Sequence, residues 1–171
     1  MKFTFEPHKP FRVKVGDEIT IQFEIYNDEN TKVSLKIIKN AIPYGFEIIS
    51  IESGNGRIIG RDIVIDKTLK PEEWYPKIII RLRAIKAVGN MKYCPTLVYV
   101  IKDKEKEKNA GCVRYEIVGI TPDDIKTPDD LGKYVSINVE IDSPKMFLGD
   151  KNILRIRIRN DLDFPIHLTR I

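Results

Sequence analysis

Arg155, Arg157 and Arg159 occupy every second position of one segment, so an extended chain sets three guanidinium groups on one face. Such a row can grip phosphates, with Lys145, Lys151 and Arg170 close by in sequence. A polyanion, nucleic acid or glycan, is therefore one candidate ligand. The segment carries no aromatic platform on which single-stranded bases could stack. A charged outer face, or an edge strand guarded against aggregation, explains the row more simply. Polyanion binding stands as the alternative reading, with nucleic acid the less favoured partner.

The other reactive side chains assemble no chemistry. His8 and His167 are far apart and lack the Cys or His neighbours of a zinc site. Asp123, Asp124, Asp129 and Asp130 offer oxygens to a calcium ion, but their spacing is not that of an EF-hand loop. Turn acids at Asp28, Glu29, Asp161 and Asp163 are weaker candidates still. Ser50 and Ser53 have no general base nearby in sequence, and no Gly-x-Ser-x-Gly elbow is present. Gly54-Asn55-Gly56 and Gly60 have some look of a phosphate loop, but they fall between strands rather than before a helix. The expectation is a protein that is not an enzyme, with no cofactor and no metal.

Cys94 and Cys112 flank a hairpin whose tip is expected at Lys102 to Lys108. That tip sets Cys112 opposite Ile101 and away from Cys94. Two buried free thiols are expected, since free Cys behaves as a small apolar residue; a disulfide is the alternative. Trp74 and Tyr75, in the turn from Glu72 to Pro76, are candidate partner contacts because aromatics concentrate at interfaces. Capping the end of a core is the equal alternative for Trp74. Leu69, Pro71 and Tyr75 also have the spacing of a tyrosine corner, whose phenol bonds an upstream backbone group.

The elements that must carry these residues are strands. Ile19, Ile21, Phe23 and Ile25 alternate with Thr20, Gln22, Glu24 and Tyr26, as in a strand with one dry face. Val33, Leu35 and Ile37 continue the pattern after the turn at Asn27 to Asn30. Further strands are expected at Phe46 to Glu52, Arg57 to Ile65 with a break at Gly60, Ile78 to Leu82, Leu97 to Ile101 and Val113 to Val118. Gly54-Asn55-Gly56 reads as a tight turn. In Thr121-Pro122-Asp123-Asp124 and Thr127-Pro128-Asp129-Asp130, Thr precedes Pro and acids, a helix-start signature with room for about one turn each. The class is all-β, and many short strands favour a sandwich.

Gly16-Asp17 and Gly149-Asp150 open two similar runs that end at Asn27-Asp28 and Asn160-Asp161. With an offset of 133, Ile21, Phe23 and Ile25 fall on Leu154, Ile156 and Ile158, and Val33, Leu35 and Ile38 fall on Ile166, Leu168 and Ile171. A fixed offset marks copies of one module. Nothing after residue 134 matches Phe46 to Ile101, so the second copy is incomplete. Four short segments are expected in it: Tyr134 to Ile141, Met146 to Leu148, Asn152 to Asn160 and Phe164 to Ile171. The expected organisation is a β-sandwich domain over 1–118, a linker with short helical turns over 119–134, and an incomplete second β-sandwich repeat over 135–171.

The first 101 residues resemble the repeated immunoglobulin-like β-sandwich modules of archaeal and bacterial surface proteins, including the adhesion-related CARDB type. The resemblance rests on Val15-Gly16-Asp17 before a strand ending at Asn27, then Ile42-Pro43-Tyr44-Gly45-Phe46-Glu47. It continues through Leu69-Lys70-Pro71-Glu72-Glu73 and Gly89. Glu72 departs from the glycine usual after the late proline. The resemblance implies an immunoglobulin-like antiparallel β-sandwich plus a partial second copy. The leading expectation is a non-catalytic role in adhesion, scaffolding or assembly with a protein partner, supported by the incomplete copy: residues 135–171 should not fold alone, and they are expected to pack on the first copy, to pair with another chain as a homo-oligomer, or to belong to a longer polypeptide.

Composition fits this class. The 171 residues carry 29 basic and 25 acidic side chains, a net charge of +4 that is too even to announce a nucleic-acid partner. No apolar run approaches a membrane span. Abundant Ile, Lys and Glu with a single Gln fit a thermophile. Met1-Lys2 runs directly into Phe3-Thr4-Phe5 without the apolar stretch of a secretory leader. Read as written, the chain is cytoplasmic; an extracellular surface is expected if more chain precedes Met1.

Overall fold

A computed structural model describes residues 1–53, 56–142, 145, 147–162 and 164–166. The chain forms two compact units, Met1–Val118 and Gly119–Ile171. Among its described residues unit 1 holds twelve strands: β1 (Lys2–Glu6), β2 (Phe11–Lys14), β3 (Glu18–Tyr26), β4 (Val33–Lys39), β5 (Phe46–Ser53), β6 (Arg57–Ile59), β7 (Asp62–Leu69), β8 (Ile78–Ala84), β9 (Val88–Tyr93), β10 (Thr96–Ile101), β11 (Lys104–Asn109) and β12 (Val113–Val118).

Two large antiparallel sheets are ordered β1-β3-β8-β5 and β11-β10-β4-β7-β6. Their neighbours follow the A-B-E-D and G-F-C order of an immunoglobulin-like sandwich, with β7 and β6 added beside the C-type strand. The dry faces carry Phe3, Phe5, Ile21, Phe23, Ile25, Ile78, Ile80 and Leu82 on one sheet. The other contributes Val33, Leu35, Ile38, Ile63, Leu69 and Leu97. All are buried, and at roughly 1.5–3 kcal/mol for each fully buried aliphatic side chain they dominate the stability of the unit. In β4 the expected inward residue Ile37 gives way to Ile38. A bulge between Leu35 and Ile37 in the pairing with β7 shifts the alternation by one.

The expected hairpin tip at Lys102 to Lys108 is corrected. Lys102 and Asp103 alone make the turn, both at positive φ (49° and 59°), as a two-residue hairpin turn requires. Lys104–Asn109 is a strand, exposed on both faces at the edge of its sheet. Its alternating Lys and Glu discourage pairing with another chain.

The free-thiol expectation is corrected with it. β9 and β10 run back along β12 and β11, with Tyr93 opposite Val113 and Thr96 opposite Asn109. Cys94 and Cys112 therefore face each other where this long hairpin bends, and they form a disulfide with Cα atoms 4.3 Å apart. Cys94 is half-buried and Cys112 exposed, so neither serves as a core residue. A third sheet, β2-β12-β9, completes unit 1, with β2 parallel to β12.

Glu72 stands where the resemblance leads one to expect glycine, and its backbone has φ 59°, the left-handed region glycine favours. Hydrogen bonds hold the turn: Glu72 N–H donates to the Asn27 carbonyl at 2.9 Å, and Asn27 N–H to the Glu73 carbonyl at 3.0 Å. The tight turn expected at Gly54 and Asn55 lies outside the described residues.

Unit 2 starts with a 3₁₀ turn (Pro122–Asp124) and α1 (Pro128–Gly132). The carboxylates of Asp124 and Asp130 accept from the N–H groups of Thr121 (3.0 Å) and Thr127 (3.1 Å). These bonds satisfy donors that a helix start leaves open. Two antiparallel strands follow, β13 (Val135–Ile141) and β14 (Leu154–Asn160).

Candidate functional site

The β13–β14 hairpin has one polar and one apolar face. On the polar face each arginine of the row holds a carboxylate. Arg155 pairs with Asp142, one of its contacts being 3.2 Å, Arg157 lies 3.6 Å from Glu140, and Arg159 lies 2.7 Å from Asp161. The three guanidinium groups thus belong to an exposed ion-pair ladder rather than to a bare cationic strip. Lys145 and Lys151 are exposed, and Arg170 lies outside the described residues.

The apolar face carries Ile137, Val139 and Ile141 from β13 and Leu154, Ile156 and Ile158 from β14, all exposed. Ile137 faces Ile158, and Val139 faces Ile156. In unit 1 the pairs Phe3–Ile25 and Phe5–Phe23 are related in the same way. The burial differs: Ile25 is 1% exposed and Ile158 40%, Ile21 0% and Leu154 56%.

The turns flanking these strands match bond for bond. Gly16 and Gly149 share φ 94°. Lys14 N–H donates to Asp17 Oδ2 at 2.8 Å, and Phe147 N–H donates to Asp150 Oδ2 at 2.8 Å. At the far ends, Glu29 N–H donates to Asn27 Oδ1 and Leu162 N–H to Asn160 Oδ1, both at 3.1 Å. Asn27 Nδ2 donates to the Thr31 carbonyl and Asn160 Nδ2 to that of Phe164, both at 2.9 Å. Each asparagine brackets the end of its strand through a side chain that mimics a backbone turn.

Asn27 does more. It is fully buried, and its Nδ2 also donates to the Lys70 carbonyl at 2.8 Å and lies 3.4 Å from that of Leu69. Asn160 is exposed.

The remaining candidates stay separate. Trp74 is exposed, and its ring lies 4.7 Å from that of Tyr26. Tyr75 is buried, and its N–H donates to the Ile25 carbonyl at 2.9 Å. His8 packs edge-on against Phe5, and His167 lies outside the described residues, as does Asp163. Among the described residues no group of three His, Cys, Asp or Glu side chains is placed to hold a metal.

Two concavities in unit 1 have structural walls. A groove of about 410 Å³ runs past Phe11, Arg12, Asn90, Arg114 and Glu116, with Arg12 held by Glu116 at 3.0 Å. A second, of about 240 Å³, is lined by Tyr44, Arg61, Tyr93 and Tyr115. There the Tyr93 hydroxyl donates to the Ala41 carbonyl (2.7 Å), that of Tyr115 to the Tyr44 carbonyl (2.8 Å), and Arg61 Nε to the Ile42 carbonyl (2.8 Å). Burial pushes the Tyr93 hydroxyl well above the ordinary tyrosine range, which keeps it a neutral donor. Sequence reasoning missed the apolar hairpin face as a surface. Its signal was the match of Ile137 and Val139 to Phe3 and Phe5, visible once the offset grows by one upstream of Gly149.

The chain matches no family model and no curated protein. Among solved structures it is similar to the VesB protease of Vibrio cholerae, at 10% identity and TM-score 0.41, covering 67% of this chain and 32% of that one. It is also similar to the PapD-like domain 7 of human CEP192, at 10% identity and TM-score 0.40, covering 70% and 87%. A third likeness is to domains D2 and D3 of the major pilin SpaD from Corynebacterium diphtheriae, at 9% identity and TM-score 0.41, covering 66% and 50%. This chain thus spans a third of the protease and half of the pilin fragment. Likenesses this distant say nothing about function.

Proposed function

We propose that this chain is a non-catalytic β-sandwich module whose role is protein association, of the adhesion, scaffolding or surface-assembly kind. Unit 2 is the opening strand pair of a second module, and its exposed aliphatic face is the contact surface. One observation carries the reading: six aliphatic side chains in two cross-strand rows stand exposed on a hairpin whose matched counterpart in unit 1 is buried. Contiguous apolar patches of this kind mark interaction sites. The CARDB-type resemblance agrees with it. The polyanion alternative gains nothing from Arg155, Arg157 and Arg159, because each already holds a carboxylate.

A photo-crosslinking amino acid at Val139 tests the reading. Irradiation in extract of the source cells is expected to trap a polypeptide, either another copy or a different protein. The same probe at Asn138, on the opposite face, is expected to trap far less. Equal yields from both positions, or none from either, overturn the reading.

A further inference from the structure

We infer that the partner of this face is a second copy of the chain, packed hairpin against hairpin about a two-fold axis. The inference rests on the protein-association reading and names the partner. A two-stranded hairpin alone is marginal in water, and gains stability by packing its apolar face. Here that face is wholly aliphatic. Ile137, Val139 and Ile141 lie alongside Leu154, Ile156 and Ile158, with no charge or aromatic among them. In unit 1 the matching face lies in a core whose other sheet contributes Val33, Leu35, Ile38 and Leu97. The hairpin presents side chains of the kind that both sides of such a core require.

The rest of the described chain offers no other surface of that kind. The other exposed large apolar side chains lie apart from such a face: Ile49 on β5, Ile59 on β6, Met91 on β9, and Tyr44, Trp74 and Ile85 outside the strands of unit 1, with Phe147, Leu148 and Ile153 outside the strands of unit 2. None forms a two-row sheet face. The polar face of the hairpin is an ion-pair ladder that favours water. Edge pairing of β14 with its own copy would set Arg155, Arg157 and Arg159 against the same three residues, and like charges directly opposite are destabilising. Charge thus disfavours pairing of β14 with β14.

A two-fold contact of one face with itself also closes, so it ends at a dimer rather than a fibre. Packed sheets stand about 10 Å apart, which lets the two aliphatic rows interdigitate. Six side chains per copy make a small interface, and small interfaces give weak, concentration-dependent association.

Sedimentation velocity of the full chain tests this from about 10 μM to about 500 μM, a span suited to weak association. The weight-average mass is expected to rise from 19.8 kDa toward twice that value. The double variant Ile137→Lys/Ile156→Lys is expected to stay at one chain throughout. Both side chains are already exposed in unit 2, and amide hydrogen exchange in β13 and β14 checks that the hairpin of the variant is still formed. A wild-type chain that stays monomeric across the range overturns the inference, as does a folded double variant that dimerises like wild type. The crosslinking at Val139 separates the two levels. A monomeric chain whose probe traps a different protein loses self-association but keeps the association reading; a monomeric chain whose probe traps nothing loses both.

Discussion

The pairs β1–β3 and β13–β14 are built alike and buried differently. They share cross-strand apolar pairs, a glycine at φ 94° and an asparagine bracket with the same hydrogen bonds. Every matched side-chain bond spans four residues or fewer. The bonds that set Asn27 apart reach Leu69 and Lys70, which lie 42 and 43 residues away. Turns and strand ends are thus local properties that travel with a short sequence. A core is not: it requires the opposite sheet, and unit 2 has no such strands among its described residues.

The largest expected contrast lies in matched core positions. Ile25→Ala should destabilise unit 1 by about 2–5 kcal/mol, the cost of a cavity in a packed core. Ile158→Ala should change unit 2 by no more than about 0.5 kcal/mol, as for an exposed site. Urea unfolding of dilute protein reads the first through Trp74, the sole tryptophan, whose ring rests near Tyr26. Amide hydrogen exchange in β14 reads the second. Similar losses at the two positions would break the comparison, because they would mean the hairpin face is covered even in dilute solution.

The disulfide sharpens the comparison further, since only unit 1 has one among the described residues. Cys94 and Cys112 are separated by 18 residues, and closing a loop of about that length contributes about 3 kcal/mol by restricting the unfolded chain. Cys94→Ala/Cys112→Ala should lower the stability of unit 1 by up to that amount and leave exchange in β13 and β14 unchanged. A thiol-reactive dye should find no free thiol in the native oxidised chain and two after reduction in denaturant. Two reactive thiols before reduction would contradict the bend described for β9 to β12.

What could be read from sequence divides along the same local and non-local line. The alternation of Ile19 to Tyr26, the turns at Gly16 and Asn27, and the starts at Thr121 and Thr127 are short-range, and they are legible. The register of β9 to β12 is not. It depends on whether Lys104 to Asn109 is a tip or a strand, and alternating Lys and Glu suit a solvated loop and a doubly exposed edge strand equally well. Misplacing that tip moved Cys112 away from Cys94. Glu72 shows the same limit from the other side: its left-handed backbone is imposed by bonds to Asn27, 45 positions earlier. The arginine row was visible, and Asp161 lies two positions from Arg159, but Glu140 and Asp142 become neighbours of the row only through the pairing of β13 with β14.

The finest test exchanges one atom group at the strand ends. In Asn27→Ala the carbonyls of Thr31 and Lys70 lose their donor and Glu29 N–H loses its acceptor. The site is buried, so water cannot replace those bonds freely, and a loss of about 1–3 kcal/mol is expected in urea unfolding. In Asn160→Ala the matching groups of Leu162 and Phe164 lose the same partners. There the asparagine is exposed, water replaces it, and the change should stay within about 0.5 kcal/mol. The two substitutions remove the same local bracket, so the difference between them isolates the contribution of the surrounding core. A loss at Asn160 that grows with protein concentration toward the Asn27 value would show that association buries this end of the hairpin as well.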